Sequence, residues 1–265
     1  MGLLTERDGA GDGFEEVTIP LVPVEMEPVP CPADVGETAR AAAGNDAGRP
    51  GQAPDGGVML RRRSALPSRR CVLYLHCQRD PFVPEDLVLW YTERGFHFYV
   101  ADLRPSQDEP PRRRPRPGHA GRLARLDAAC RHLREAEGID MIIVSAHGAG
   151  ALTAALWCDA RRDAGTADAL ILSRPAFGRR LRRGLAIACP VLVLSPARRA
   201  AHGRAARRGG NDAAIRLGPH VTWLDLEDGL DGRTPGAEAG RRRFFDEMGR
   251  WLGAYMYGSV RDQLL

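Results

Sequence analysis

The stretch Met141-Ile142-Ile143-Val144-Ser145-Ala146-His147-Gly148-Ala149-Gly150-Ala151-Leu152 decides how the rest of the chain is read. A short apolar run ends in small residues and passes directly into a helix-favouring segment rich in Ala and Leu. Strand, sharp turn and helix in that order have the shape of a nucleophile elbow, a small-x-nucleophile-x-small frame that lifts one side chain above a sheet edge. With the slot set on His147, the place of a Ser, Cys or Asp is taken by an imidazole.

Working outward, Cys71–His76 is a continuous apolar run, as expected of a strand buried on both faces, and Phe96–Leu103 is another. Between them, residues 84–94 have helical spacing (Leu87, Leu89, Trp90), and Gly95 suits the helix end. Leu123, Leu126, Ala129, Cys130 and Leu133 share one helical face before the elbow, whose own helix is predicted to run to about Arg162. Ala167–Ser173, Pro190–Ser195 and Val221–Leu226 read as three further strands. Phe244, Phe245, Met248, Trp251 and Leu252 line a last helix. Strands alternating with helices predict an α/β fold with a mostly parallel sheet wrapped on both faces. Such sheets do their ligand chemistry at the strand carboxyl ends.

At the front, residues 14–20 alternate like a half-exposed edge strand, and Val58-Met59-Leu60 makes a short strand ended by the Arg61–Arg63 run. Residues 28–56 are rich in Pro, Gly and Ala and read as a flexible insertion; Pro- and Arg-rich 104–118 reads as loop. The expected organisation is therefore 1–56 as edge strand plus insertion, and 57–265 as one α/β domain.

Composition narrows the function classes. The 38 basic residues are all arginine, and with so much Ala, Gly and Pro this points to a GC-rich, actinobacterial genome rather than to selection on binding. A net charge of +4, dispersed in short arginine clusters, argues against nucleic acid. The six cysteines form no CxxC pair and several lie inside apolar runs, so they are read as reduced and the protein as cytoplasmic. The N-terminus has no basic segment followed by an apolar core, and no run reads as a membrane span. All four tryptophans (90, 157, 223 and 251) fall at positions expected to be buried.

Five segments carry a family resemblance: Leu73–Phe82 (LYLHCQRDPF), Phe96–Arg104 (FHFYVADLR), Met141–Trp157, Leu217–Gly232 (LGPHVTWLDLEDGLDG) and Phe244–Met256. In order and spacing, residues 71–256 resemble α/β-hydrolases of the actinobacterial serine aminopeptidase (S33) or lysophospholipase-like group. The resemblance implies an α/β-hydrolase fold and a Ser–His–acid triad acting on ester or peptide bonds. Transferred position by position, the nucleophile slot holds His147, the base slot holds Asp231, and the acid segment offers only Asp212. The oxyanion donors would be the amides of Gln78 and Gly148, beside His76 and Cys77. Relatives carry a cap of many tens of residues where this chain has only Arg174–Pro190, so the cap is expected to be reduced or absent.

Acyl transfer in this fold needs a nucleophile activated by a neighbouring base. The leading expectation is therefore a non-hydrolytic binding or scaffold pseudoenzyme, with a small molecule in the cleft or a protein as partner. One alternative is a repurposed enzyme in which Asp231 orients His147 for proton transfer; another is a hydrolase with an unrecognised nucleophile. No cofactor is expected. A metal set of His76, Cys77, His147 and Asp231 suits zinc by ligand type, but adjacent residues are poorly spaced for joint chelation, so no metal site is expected either.

Overall fold

The computed structural model describes residues 13–19, 57–76, 83–103, 119–165, 167–175, 184–196, 217–218, 220–226 and 237–262. They form strands β1 (Glu15–Ile19), β2 (Gly57–Arg62), β3 (Arg70–His76), β4 (His97–Asp102), β5 (Met141–His147), β6 (Ala169–Ser173), β7 (Val191–Pro196) and β8 (Val221–Leu226). The helices are α1 (Glu85–Thr92), α2 (His119–Glu135), α3 (Ala149–Ala160) and α4 (Ala237–Asp262). The insertion expected within 28–56 lies outside the described residues.

One sheet takes all eight strands in the order β1-β2-β4-β3-β5-β6-β7-β8. β1 and β2 are antiparallel to their neighbours, and the pairs from β4 through β8 are parallel. The order reverses around β3, so the elbow strand β5 sits near the middle of the sheet. Its residues 142–146 are all buried, which explains the unbroken apolar run.

Alternation along the strands splits the core in two. Ile142, Val144 and Ala146 face α2 and α3, packing on Leu126, Leu133, Ala151, Ala154 and Trp157. On the other face Ile143 meets Val88 and Tyr91 of α1 and Phe244, Met248 and Leu252 of α4. The run of alanines brings α3 close against β3, β5 and β6.

Two boundaries and the burial of two tryptophans differ from the sequence reading. β2 continues through Arg61 and Arg62, because strand pairing and ion pairs absorb those charges: Arg61 bridges Glu15 of β1 and Glu137, and Tyr99 donates its hydroxyl to Glu137 at 3.2 Å. α3 ends at Ala160, and Arg162–Ala164 forms a separate 3₁₀ turn closed by left-handed Gly165. Trp157 and Trp90 are buried, whereas Trp223 and Trp251 are only half-buried; Trp251 lies over β8 and reaches Thr222 Oγ1 with its Nε1–H at 3.1 Å.

The buried thiols give a pH prediction. Burial pushes the Cys130 thiol up to about 12, and holds Cys71 well above its ordinary 9.0. Above pH 9 the unfolded chain releases these protons while the native state keeps them. The native state then binds more protons, so stability falls as pH rises from 9 towards 12, by up to about 1.4 kcal/mol per pH unit for each thiol. Urea midpoints on either side of pH 9 should show the fall, and Cys130→Ala should make it shallower.

Candidate functional site

The site is the carboxyl edge of the sheet at the β5–α3 junction. His147 is the last residue of β5, Ala149 the first of α3, and Gly148 alone makes the turn at φ 56°, ψ −116°. That combination lies outside even the small left-handed region open to L-residues, so a side chain there would be strained. The sequence reading set the apex on His147. The backbone sets it one residue later, and His147 ends the strand with ordinary pairing to Ser173 of β6. Both frames look alike in the sequence because residues 145–151 are small on either side of His147. The usable signal was glycine itself, the one residue that turns at this geometry without strain.

The side chain of His147 is half-buried. It shares the parity of Ile143 and Ser145, which places it on the α1/α4 face. Its register partner Ser173 has the parity of Ile171 and lies on the same face, 8% exposed. An imidazole and a hydroxyl therefore stand on neighbouring strands at one level of the sheet's carboxyl edge.

The oxyanion expectation also shifts. The N–H of Gly148 donates to Ser173 O at 2.9 Å, so that amide is engaged within the sheet edge. The amides of Ala149, Gly150 and Ala151 follow in the first turn of α3, where no side-chain cap is present at Gly148. First-turn amides point outward along the helix axis and favour negative charge.

Beside the elbow, Arg174 follows β6 with φ 47°, the one non-glycine residue with positive φ among those described, and its N–H donates to Leu194 O at 2.7 Å. His76 ends β3 in backbone register with Asp102. Cys77, Gln78, Asp212 and Asp231 lie outside the described residues. Among the described residues no group of three or more His, Cys, Asp or Glu stands together as a metal site, and no helix is long and apolar enough to cross a membrane.

No family model matches the chain, and no curated protein matches it in sequence. Solved structures do. The esterase Pf2001 of Pyrococcus furiosus superposes with a TM-score of 0.55 at 12% identity, covering 76% of this chain and 88% of its own. Est1E from Butyrivibrio proteoclasticus gives 0.54 at 13% identity, over 75% and 95% of the two chains. An alpha-beta serine hydrolase homologue from Coxiella burnetii gives 0.50 at 12%, over 66% and 83%. The chain has the α/β-hydrolase fold. Likeness at this level is a likeness of architecture alone.

Proposed function

We propose that this α/β-hydrolase-fold protein does not act as a serine hydrolase and instead binds a small molecule or a protein partner at the carboxyl edge of its sheet. The observation carrying this reading is Gly148 at the apex of the turn, a residue with no side chain to act as nucleophile. The sequence supports it at the other two triad positions. No histidine follows His220, so the stretch after β8 offers no imidazole base, and Asp231 remains our assignment to that slot. From Pro196 to Asn211, after β7, no acidic residue occurs before Asp212. The Arg174–Pro190 connection is too short to hold a cap of many tens of residues, which suits binding at a surface better than water-excluded chemistry.

A second reading rests on the register of His147 with Ser173. A serine beside an imidazole is the raw material of nucleophilic catalysis. Burial of Ser173 to 8% and its place inside a paired strand favour a structural role. Fluorophosphonate labelling of the purified protein, read by mass spectrometry, decides between them. No adduct is expected on any serine. An adduct on Ser173 that disappears in His147→Ala would reject the binding reading.

A further inference from the structure

At the end of the sheet opposite its carboxyl edge, two cysteines play no part in the function proposed above. Cys158 lies in the last turn of α3, and Cys189 stands two residues before β7. Cys189 packs against the same core cluster that contains Cys158, and the two thiols share a hydrogen bond. The segment is held there by a neighbouring contact: Asp159 Oδ1 accepts the N–H of Ala186 at 2.7 Å. Cys158 is 5% exposed, whereas Cys189 is half-buried.

Their proton affinities are unequal. The hydrogen bond from Cys158 holds the Cys189 thiol below its ordinary value, while the same bond and burial push Cys158 well up. A half-buried cysteine that ionises more readily, backed by a buried partner, is the arrangement of an attacking and a resolving thiol. Cys71 and Cys130 are buried and both pushed up, and have no such asymmetry.

We propose that Cys158 and Cys189 form a redox site that closes into a reversible intramolecular disulfide by exchange with a low-molecular-weight disulfide. The Cys189 thiolate attacks one sulfur of the small disulfide, whose S–S bond breaks. One small thiolate leaves and takes up the proton that Cys189 released. Cys158 then loses its proton and attacks the Cys189 sulfur of the mixed disulfide. The second small thiolate departs with that proton. Two protein thiols are oxidised, and one small disulfide is reduced to two thiols. The new bond fastens the end of α3, whose first turn carries the elbow, to the chain leading into β7. It also closes the loop from 158 to 189 in the unfolded chain, which favours the native state.

The test uses the full chain, incubated under native conditions with oxidised glutathione, then blocked with an alkylating agent and mapped without reduction. The expected product is a Cys158–Cys189 linked peptide, reversed by dithiothreitol and accompanied by a rise of several degrees in thermal midpoint. Cys189→Ser should keep its circular dichroism and lose both effects, and Cys158→Ala should trap glutathione on Cys189. The proposal is overturned by a stable glutathione adduct on Cys189 in the unaltered protein, or by no modification of either thiol. Links through Cys71 and Cys130 forming at the same rate would overturn it as well, because oxidation would then follow unfolding.

Discussion

Gly148→Ser is expected to leave hydrolysis of p-nitrophenyl butyrate at the buffer rate, on the order of 10⁶-fold below an intact Ser–His–acid enzyme. The substitution restores a hydroxyl at the apex of the elbow, where the fold would present a nucleophile. A hydroxyl alone is a weak nucleophile near neutral pH and needs a base within hydrogen-bond reach. The sequence holds no histidine beyond His220, and His147 belongs to the strand that leads into the turn. The variant should also lose about 1–3 kcal/mol of stability, because a side chain is forced into the strained conformation at φ 56°, ψ −116°. Urea unfolding reads that loss, and the ester assay reads the rate. A hydrolysis rate clearly above buffer that vanishes on adding His147→Ala would show that His147 reaches the slot, and the non-hydrolytic reading would fall.

Asp127→Ala should be the most destabilising single truncation of a polar side chain in the described structure. Asp127 on α2 accepts Trp157 Nε1–H at 2.8 Å and Arg161 Nε–H at 3.0 Å on one oxygen, and Arg161 Nη2–H at 2.7 Å on the other. The arginine approaches with two parallel donors, the strongest form of such a pair. Its side chain is 19% exposed and that of Asp127 11%, so water screens the pair little. Deleting the carboxylate takes away the acceptor shared by a buried indole and a mostly buried guanidinium. The expected cost is about 3 kcal/mol, seen as a lower urea midpoint at unchanged slope and a thermal midpoint down by roughly 10 °C. Asp127→Asn keeps an oxygen for Trp157 and should cost about half as much. A loss below about 1 kcal/mol for the alanine variant would mean that packing of α3 on α2 does not depend on this cluster.

The fold was legible because buried parallel strands write themselves as apolar runs. Val221–Leu226 was bounded to the residue, and Ala169–Ser173 and Val191–Pro196 to within two. The errors arose where tertiary contacts overrode local signals. Arg61 and Arg62 look like a strand terminator until Glu15 and Glu137 are brought beside them from distant parts of the chain. Trp223 and Trp251 look like core residues until β8 is placed at the sheet edge, where one side has no neighbouring strand among the described residues. The elbow was legible as a motif and misplaced by one residue. In Ser-Ala-His-Gly-Ala-Gly-Ala the only bulky side chain drew the assignment, whereas a turn of this geometry is set by backbone freedom. Asp231, Asp212, Gln78 and Cys77 remain assignments by resemblance, and the side-chain partners they would need are separated from them by long stretches of chain.

The packing of α4 has a consequence for how the protein is made. Phe244, Met248 and Leu252 complete the core face that Ile143, Ile171 and Leu192 present, yet α4 is drawn from residues 237–262, after every strand. During synthesis the β3–β7 sheet can gather α2 and α3 onto one side as soon as they emerge. On its other side, among the described residues, only the short α1 precedes α4, which is synthesised last. Without α4, the apolar side chains of Ile143, Ile171 and Leu192 lose native partners, and exposed apolar surface of that kind is what chaperones hold and what aggregates when they do not.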